Sequence, residues 1–152
     1  MKHAGLTLVE MLVVVAIVAM IAALATVSFS TVTARQSLDK STDAVVAVLA
    51  QARSLTVSAK DAVAYSVRLL SAGPVLFVGS TYNAGASTNK PFVLDPRLSI
   101  SNISLNGAGS DVLFSKLTGT TTQSGTFRVI ITGTPTSYRT VTVYATGIAE
   151  AQ

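Results

Sequence analysis

The chain has 152 residues, enough for one domain of ordinary size and an additional segment. Only 12% of its residues are charged and the formal net charge is +4, with no basic cluster, which argues against a nucleic-acid partner. Cysteine is absent, which excludes disulfides and thiolate metal sites, and the one histidine, His3, lies before Gly5. We therefore expect no metal and no cofactor.

The first predicted element is an apolar segment near the N-terminus. Its opening reads GLTLVE from Gly5 to Glu10, and the residues from Met11 to Ala25 include no polar side chain. Hydrophobicity around the whole circumference is typical of a membrane span or of a deeply buried helix. Glu10 is the exception, because a charged side chain inside a bilayer is costly and usually has a function.

The apolar segment opens a long stretch that favours one helix. Between Gly5 and Gly73 the chain contains neither glycine nor proline. The β-branched and hydroxyl residues of 26–33 are mediocre helix formers, so any local melting or bend is expected there. From Arg35 the pattern becomes amphipathic, which predicts a helix that packs through one apolar stripe. The stripe consists of Leu38, Val45, Val48, Leu49, Ala52, Leu55 and Ala59.

After Lys60 the apolar period changes to two, which predicts strands. About six to seven short antiparallel strands are expected, with a bulge where the apolar parity slips between Ile100 and Ile103. The predicted strands lie near 63–70, 75–78, 92–94, 98–105, 112–117, 126–132 and 139–145. The predicted fold is α+β: a long N-terminal helix with a protruding apolar half, and a β-rich head packed on its second half.

The remaining charged residues are interpreted as surface features. We expect Arg35 to pair with Asp39 one helical turn away, and we expect Arg68, Arg128 and Arg139 to point outward from their strands. If the residues up to Gly5 are a leader that is removed, the chain retains no histidine and no nucleophile–histidine–carboxylate set is possible; no carboxylate pair has catalytic spacing. The sequence therefore predicts that the protein is not an enzyme.

Two simple interpretations compete for the N-terminal segment. It could be a secretory signal peptide, with a small-x-small cleavage site at residues 23–25. It could also be a plain single-span anchor, which its length allows. Neither interpretation gives Glu10 a role.

The segment closely resembles the type III signal of type IV pilins and pseudopilins. In that family a prepilin peptidase cuts after a glycine, the new N-terminus is methylated, and the fifth mature residue is glutamate. Gly5 matches the cleavage position, Leu6 would be the methylated residue, and Glu10 falls in the glutamate position. Leu6 departs from the phenylalanine that the family most often carries.

The resemblance implies an organisation of the whole chain. Residues 1–5 would be a leader, residues 6–34 a transmembrane segment that later enters a filament core, residues 35–60 an amphipathic half-helix, and residues 61–152 the head. The implied partners are prepilin peptidase, other pilin or pseudopilin subunits, and inner-membrane lipid before assembly. The implied location is the bacterial inner membrane, with the head in the periplasm or outside, and then an assembled pilus or pseudopilus. Glu10 would pair with the Leu6 amine of a neighbouring subunit.

A weaker resemblance concerns the branch within the family. Residues 49–54 (LAQARS) and residues 141–147 (VTVYATG) are similar to the FimT/GspH-type branch of minor pilins. In DNA-binding members of that branch basic residues follow the C-terminal glycine, whereas Gly147 is followed by Ile148, Ala149 and Glu150. Two alternatives stay open: a DNA-uptake pilin, and a lone membrane-anchored β-domain that binds a ligand through its loops.

Overall fold

The computed structural model describes residues 7–58 and 63–152, without the side chains of residues 24–31 and Pro135. Its contacts divide the chain into two compact units, Met1–Arg35 and Gln36–Gln152. We call the first unit the stem and the second the head. Helix α1, Leu8–Val57, has residues in both units.

Helix α1 is continuous over 50 residues. Residues 26–33, where any melting or bend was expected, are helical without a break. With no glycine or proline in the segment, a few β-branched residues cost only tenths of a kcal/mol each, too little to interrupt a helix extended on both sides. Among the residues whose side chains the structure describes, no helix is long and apolar enough to cross a membrane.

The head contains two four-stranded antiparallel sheets. One has the strand order β3-β2-β1-β5 and the other the order β4-β6-β7-β8. The strands are β1 (Tyr65–Leu70), β2 (Gly73–Val78), β3 (Lys90–Pro91), β4 (Leu98–Leu105), β5 (Asp111–Leu113), β6 (Gly125–Ile131), β7 (Thr134–Val143) and β8 (Ala149–Ala151). The α+β fold predicted from the sequence, with a long helix packed on antiparallel strands, is confirmed.

The strand count is higher than predicted, with eight strands in the described residues. Strand β3 lies at Lys90–Pro91 and not at the predicted 92–94. The missed strand, β8, has only three residues, too few for an alternating pattern to be recognised. The predicted bulge in β4 is confirmed, because the register with β6 shifts between Ser101 and Ser104. Asn102 adopts the left-handed conformation there, with φ of 49°, and asparagine tolerates that conformation better than most residues.

The core of the head lies between the helix stripe and the inward faces of both sheets. Leu38, Val45, Leu49 and Ala52 are buried as predicted, and Val48 and Leu55 are partly buried against them. Ala59 lies outside the described residues. Each large apolar side chain buried here contributes about 1.5–3 kcal/mol relative to exposure.

Two buried threonines also lie on this stripe and were not predicted. The Thr42 hydroxyl donates to the Leu38 carbonyl oxygen at 2.7 Å. Thr56 Oγ1 lies 2.8 Å from the Ala52 carbonyl oxygen and accepts the backbone N–H of Tyr65 at 2.8 Å. Hydroxyls paired in this way enter a core without the penalty of an unsatisfied polar group, so an apolar pattern alone could not identify them.

The ion pairs differ from the sequence prediction. Asp39 pairs with Arg139 at 2.8 Å rather than with Arg35. Arg139 has the same parity on β7 as the buried Val141, so it points toward the helix side of the sheet and not outward. Arg68 has the parity opposite to the inward residues of β1, pairs with Asp111 at 3.2 Å and lies 4.8 Å from the centre of the Tyr82 ring.

A charged cluster joins the helix to the loop before β4. The Ser37 hydroxyl donates to Asp95 Oδ2 at 2.9 Å, and Arg97 donates to Asp95 through its side chain and its backbone N–H. The Arg97 side chain and backbone bonds, followed by the Ser37 bond, hold the pKa of Asp95 well below its usual range. The same pair raises the pKa of Arg97.

We expect Asp95→Asn to lower the melting temperature of the full-length protein by a few degrees at pH 7 and by less at pH 2. A carboxyl group whose pKa is depressed on folding stabilises the fold above its unfolded pKa, near 3.8, and loses that contribution as pH falls toward the folded value. Thermal unfolding of both proteins between pH 7 and pH 2 measures the difference. A difference that stays constant over this range would contradict the assignment.

Candidate functional site at the start of the helix

Helix α1 begins with a side-chain cap. The Glu10 backbone N–H donates to Thr7 Oγ1 at 3.3 Å, and the Met11 N–H donates to the Thr7 carbonyl oxygen at 3.2 Å. Thr7 is therefore the N-cap residue and Glu10 the third helical residue, which are the two positions of a capping box. The Thr-x-x-Glu spacing is visible in the sequence, but the capping positions of Thr7 and Glu10 were not predicted.

Glu10 therefore has a local electrostatic role. A carboxylate in the first turn faces the positive end of the helix dipole, an interaction of about 0.3–1 kcal/mol. The Glu10 side chain is exposed, and within residues 7–58 and 63–152 its carboxylate has no hydrogen bond or ion pair. This leaves the carboxylate available to a group outside the described chain.

The rest of the stem presents an apolar surface. Every large apolar side chain from Leu8 to Ile21 is at least half exposed, from 50% for Val14 to 78% for Leu8. Exposed apolar surface of this extent is typical of a surface that contacts lipid or other protein chains. Glu10 is the only charged residue between Thr7 and Ala34, so the site combines one carboxylate with a continuous apolar surface.

The other two predicted site residues, Gly5 and Leu6, lie outside the described residues. They directly precede Thr7 in the sequence.

We expect Thr7→Ala to increase amide hydrogen exchange at Val9, Glu10 and Met11 several-fold in detergent-solubilised full-length protein. Loss of a threonine N-cap costs about 1 kcal/mol, which corresponds to about fivefold in the opening of the first turn. Thr7→Ser, which keeps the hydroxyl oxygen, should exchange like the original protein. Equal exchange in the Ala and Ser variants would show that Thr7 does not cap the helix.

Two comparisons with known proteins agree with these observations. Residues 1–26 match the family model of the prokaryotic N-terminal methylation motif. The fold is similar to that of the type IV minor pilin FimU of Pseudomonas aeruginosa in two crystal forms. For the P21 form the TM-score is 0.58 at 21% identity, over 78% of this chain and 90% of FimU. For the P65 form it is 0.54 at 21% identity, over 76% and 92%. No curated protein matches the chain in sequence.

The motif covers the residues that form the cap and the apolar surface, and the similarity to FimU covers most of the chain. The chain therefore begins with the N-terminal methylation motif and has a fold similar to that of a type IV minor pilin.

Proposed function

We propose that the chain is a minor subunit of a type IV pilus or of the related type II secretion pseudopilus, of the FimT/GspH type. The observation that carries this proposal is a single exposed carboxylate, Glu10, in the first turn of an apolar helix, within a segment that matches the methylation motif. The FimU-like fold supports a minor pilin. Prepilin peptidase would cut after Gly5, and the new N-terminus at Leu6 would be methylated.

The parts of the chain then have separate roles. Residues 1–5 are the leader, and residues 6–34 anchor the subunit in the inner membrane before assembly. Residues 35–60 are the amphipathic segment, whose helical part ends at Val57 and packs on the strands, and residues 61–152 supply the strands of the head, which faces the periplasm or the filament surface. Assembly replaces lipid around the apolar stem with the stems of other subunits, so hydrophobic burial changes little and packing drives association.

Apolar contact of this kind does not define which subunits meet or in what register, whereas a charge pair does. After cleavage, the amine of Leu6 would lie one residue before the N-cap Thr7, where it adds to the positive end of the helix. Glu10 of an incoming subunit can neutralise the Leu6 amine of its neighbour, and an unpaired charge in the filament core would be costly.

We expect the intact mass of protein purified from cells that contain prepilin peptidase to correspond to a chain that starts at Leu6, with or without one methyl group. The measurement is intact mass spectrometry, with Gly5→Asp as the control that blocks cleavage and leaves the leader attached. A start after Ala25 would establish ordinary signal-peptide cleavage and would refute the proposal.

We also expect Glu10→Gln to insert into the membrane normally and to enter filaments at least tenfold less than the original protein. Loss of one partner from a buried ion pair costs about 3–5 kcal/mol, whereas the apolar stem that drives insertion is unchanged. Incorporation is measured by immunoblotting of sheared filaments against the membrane fraction.

The matched control is Thr7→Ala, which weakens the helix cap but keeps the carboxylate, and which should enter filaments nearly normally. If Thr7→Ala and Glu10→Gln were equally defective, the function of Glu10 would be helix capping. Normal incorporation of Glu10→Gln would refute the pairing.

A further inference from the structure

Strand β8 is an open edge of its sheet. It pairs with β7 through alternate residues: Thr140 and Gln152 exchange two backbone hydrogen bonds of 3.0 and 2.8 Å, and the Tyr144 N–H donates to the Ile148 carbonyl oxygen. In an antiparallel ladder the residues between such pairs direct their N–H and C=O groups away from the partner strand. The backbone N–H and C=O groups of Ala149 and Ala151 therefore point away from β7, outward from the free edge. They have no hydrogen-bond partner among the described residues.

Two cavities lie between helix α1 and β8, one at each end of the strand, and we call the space along β8 that they enclose the groove. The cavity at the beginning of β8 has a volume of about 410 Å³. Its lining residues are Ala50, Arg53, Ser54, Val57, Ser58, Thr118, Gly147, Ile148 and Ala149. The cavity at the end of β8 has about 280 Å³. It is lined by Asp39, Thr42, Asp43, Arg139, Ala151 and Gln152.

The first end of the groove carries a fixed positive charge. Arg53 Nε donates to the carbonyl oxygens of Gly119 and Thr146, both at 3.2 Å, and its two terminal nitrogens make no bond within the described chain. Gly119 and Gly147 have φ of 66° and 78°, and a Cβ on Gly147 would overlap the Gly119 carbonyl. Such close backbone packing leaves little room for Arg53 to move, so its guanidinium is presented to the cavity at low entropic cost.

The second end of the groove carries a negative charge. Asp39 is neutralised by Arg139 at 2.8 Å. Asp43 is exposed and has no ion pair among the described residues. The charges of the two ends are therefore opposite, with an open strand edge between them.

This geometry defines the direction of a strand added to β8 and the spacing of the charged residues that it would need. Residues 50–58 of the helix lie beside the beginning of β8, and residues 39–43 lie beside its end, so the helix is antiparallel to β8. Asp43 and Arg53 are separated along the helix by about 15 Å at about 1.5 Å per residue. An added strand rises about 3.4 Å per residue, and only alternate residues face the helix, so a separation of four residues, about 14 Å, fits best.

We propose that β8 and this groove bind an extended segment of another protein as an added antiparallel strand, with a Lys or Arg opposite Asp43 and a Glu or Asp four residues later opposite Arg53. Main-chain hydrogen bonds to Ala149 and Ala151 would provide affinity, and the two charges would fix direction and register. A strand antiparallel to β8 runs in the same direction as the helix, from Asp43 toward Arg53, so its basic residue comes before its acidic residue. This proposal does not depend on filament assembly.

The test uses full-length protein in detergent micelles and two fluorescent nine-residue peptides with blocked ends and a background of alternating Thr and Val. One peptide has Lys at its third and Glu at its seventh position, and the other has these two residues exchanged. Fluorescence anisotropy should give at least about fivefold tighter binding for the Lys-first peptide, because both end contacts become repulsive in the other. Equal binding of the two peptides would overturn the proposal.

Amide hydrogen exchange, measured residue by residue by NMR, distinguishes strand addition from binding in a cavity alone. Saturating Lys-first peptide should slow exchange at Ala149 and Ala151 at least tenfold. The Glu150 amide should change little, because Glu150 is already paired with Thr142. Unchanged exchange at Ala149 and Ala151, or protection of both in the absence of peptide through self-association, would overturn the proposal.

Two variants complete the test. Ala151→Pro removes an N–H from the free edge without removing a bond to β7 and should reduce peptide binding at least tenfold, whereas Ala151→Ser should bind normally. Asp43→Asn changes only an exposed side chain and should reduce the preference for the Lys-first peptide to about twofold or less. Retention of binding by Ala151→Pro, or of the full preference by Asp43→Asn, would overturn the proposal even if the other variant were unfolded.

Discussion

Burial of one apolar helix stripe against two sheets is the interaction on which the head depends. Neither sheet has a closed core of its own, and Leu49 and Ala52 of the helix lie in the same buried cluster as Val67 of one sheet and Phe127 of the other. Because the cluster is shared, the strands do not need to be long, and several have only two or three residues. The threonines within the stripe satisfy their hydroxyls on backbone carbonyls, so the helix keeps one continuous packing surface.

The same helix combines two physical regimes. In the head its apolar residues are buried by the chain itself, whereas in the stem they are exposed, as is typical of a surface that contacts lipid or other protein chains. The one charge in the stem is in the first turn, where the helix dipole and the Thr7 cap favour it. A carboxylate at this position stabilises the start of the helix and can also pair with a cation from outside, so a substitution that removes it tests two functions together.

Much of the fold and part of the site were predictable from sequence. The absence of glycine and proline between Gly5 and Gly73 predicted the helix, the alternation after Lys60 predicted the strands, and the parity slip predicted the bulge in β4. The failures had two causes. Asp39 pairs with Arg139, 100 residues away, because β7 packs beside the helix. Strand β8 was missed because three residues are too few for an alternating pattern to be recognised.

The sequence by itself determined the helix, the α+β class, the motif around Glu10 and the resemblance to pilins, because these depend on local pattern and spacing. Only the tertiary structure decided where Arg53 and Asp43 lie relative to the open edge of β8, because that arrangement requires the helix, the β7–β8 turn and the loop at Gly119 to pack together. Local periodicity defines which face of an element is apolar. Which charges come to lie beside one another is decided by packing between segments far apart in the chain.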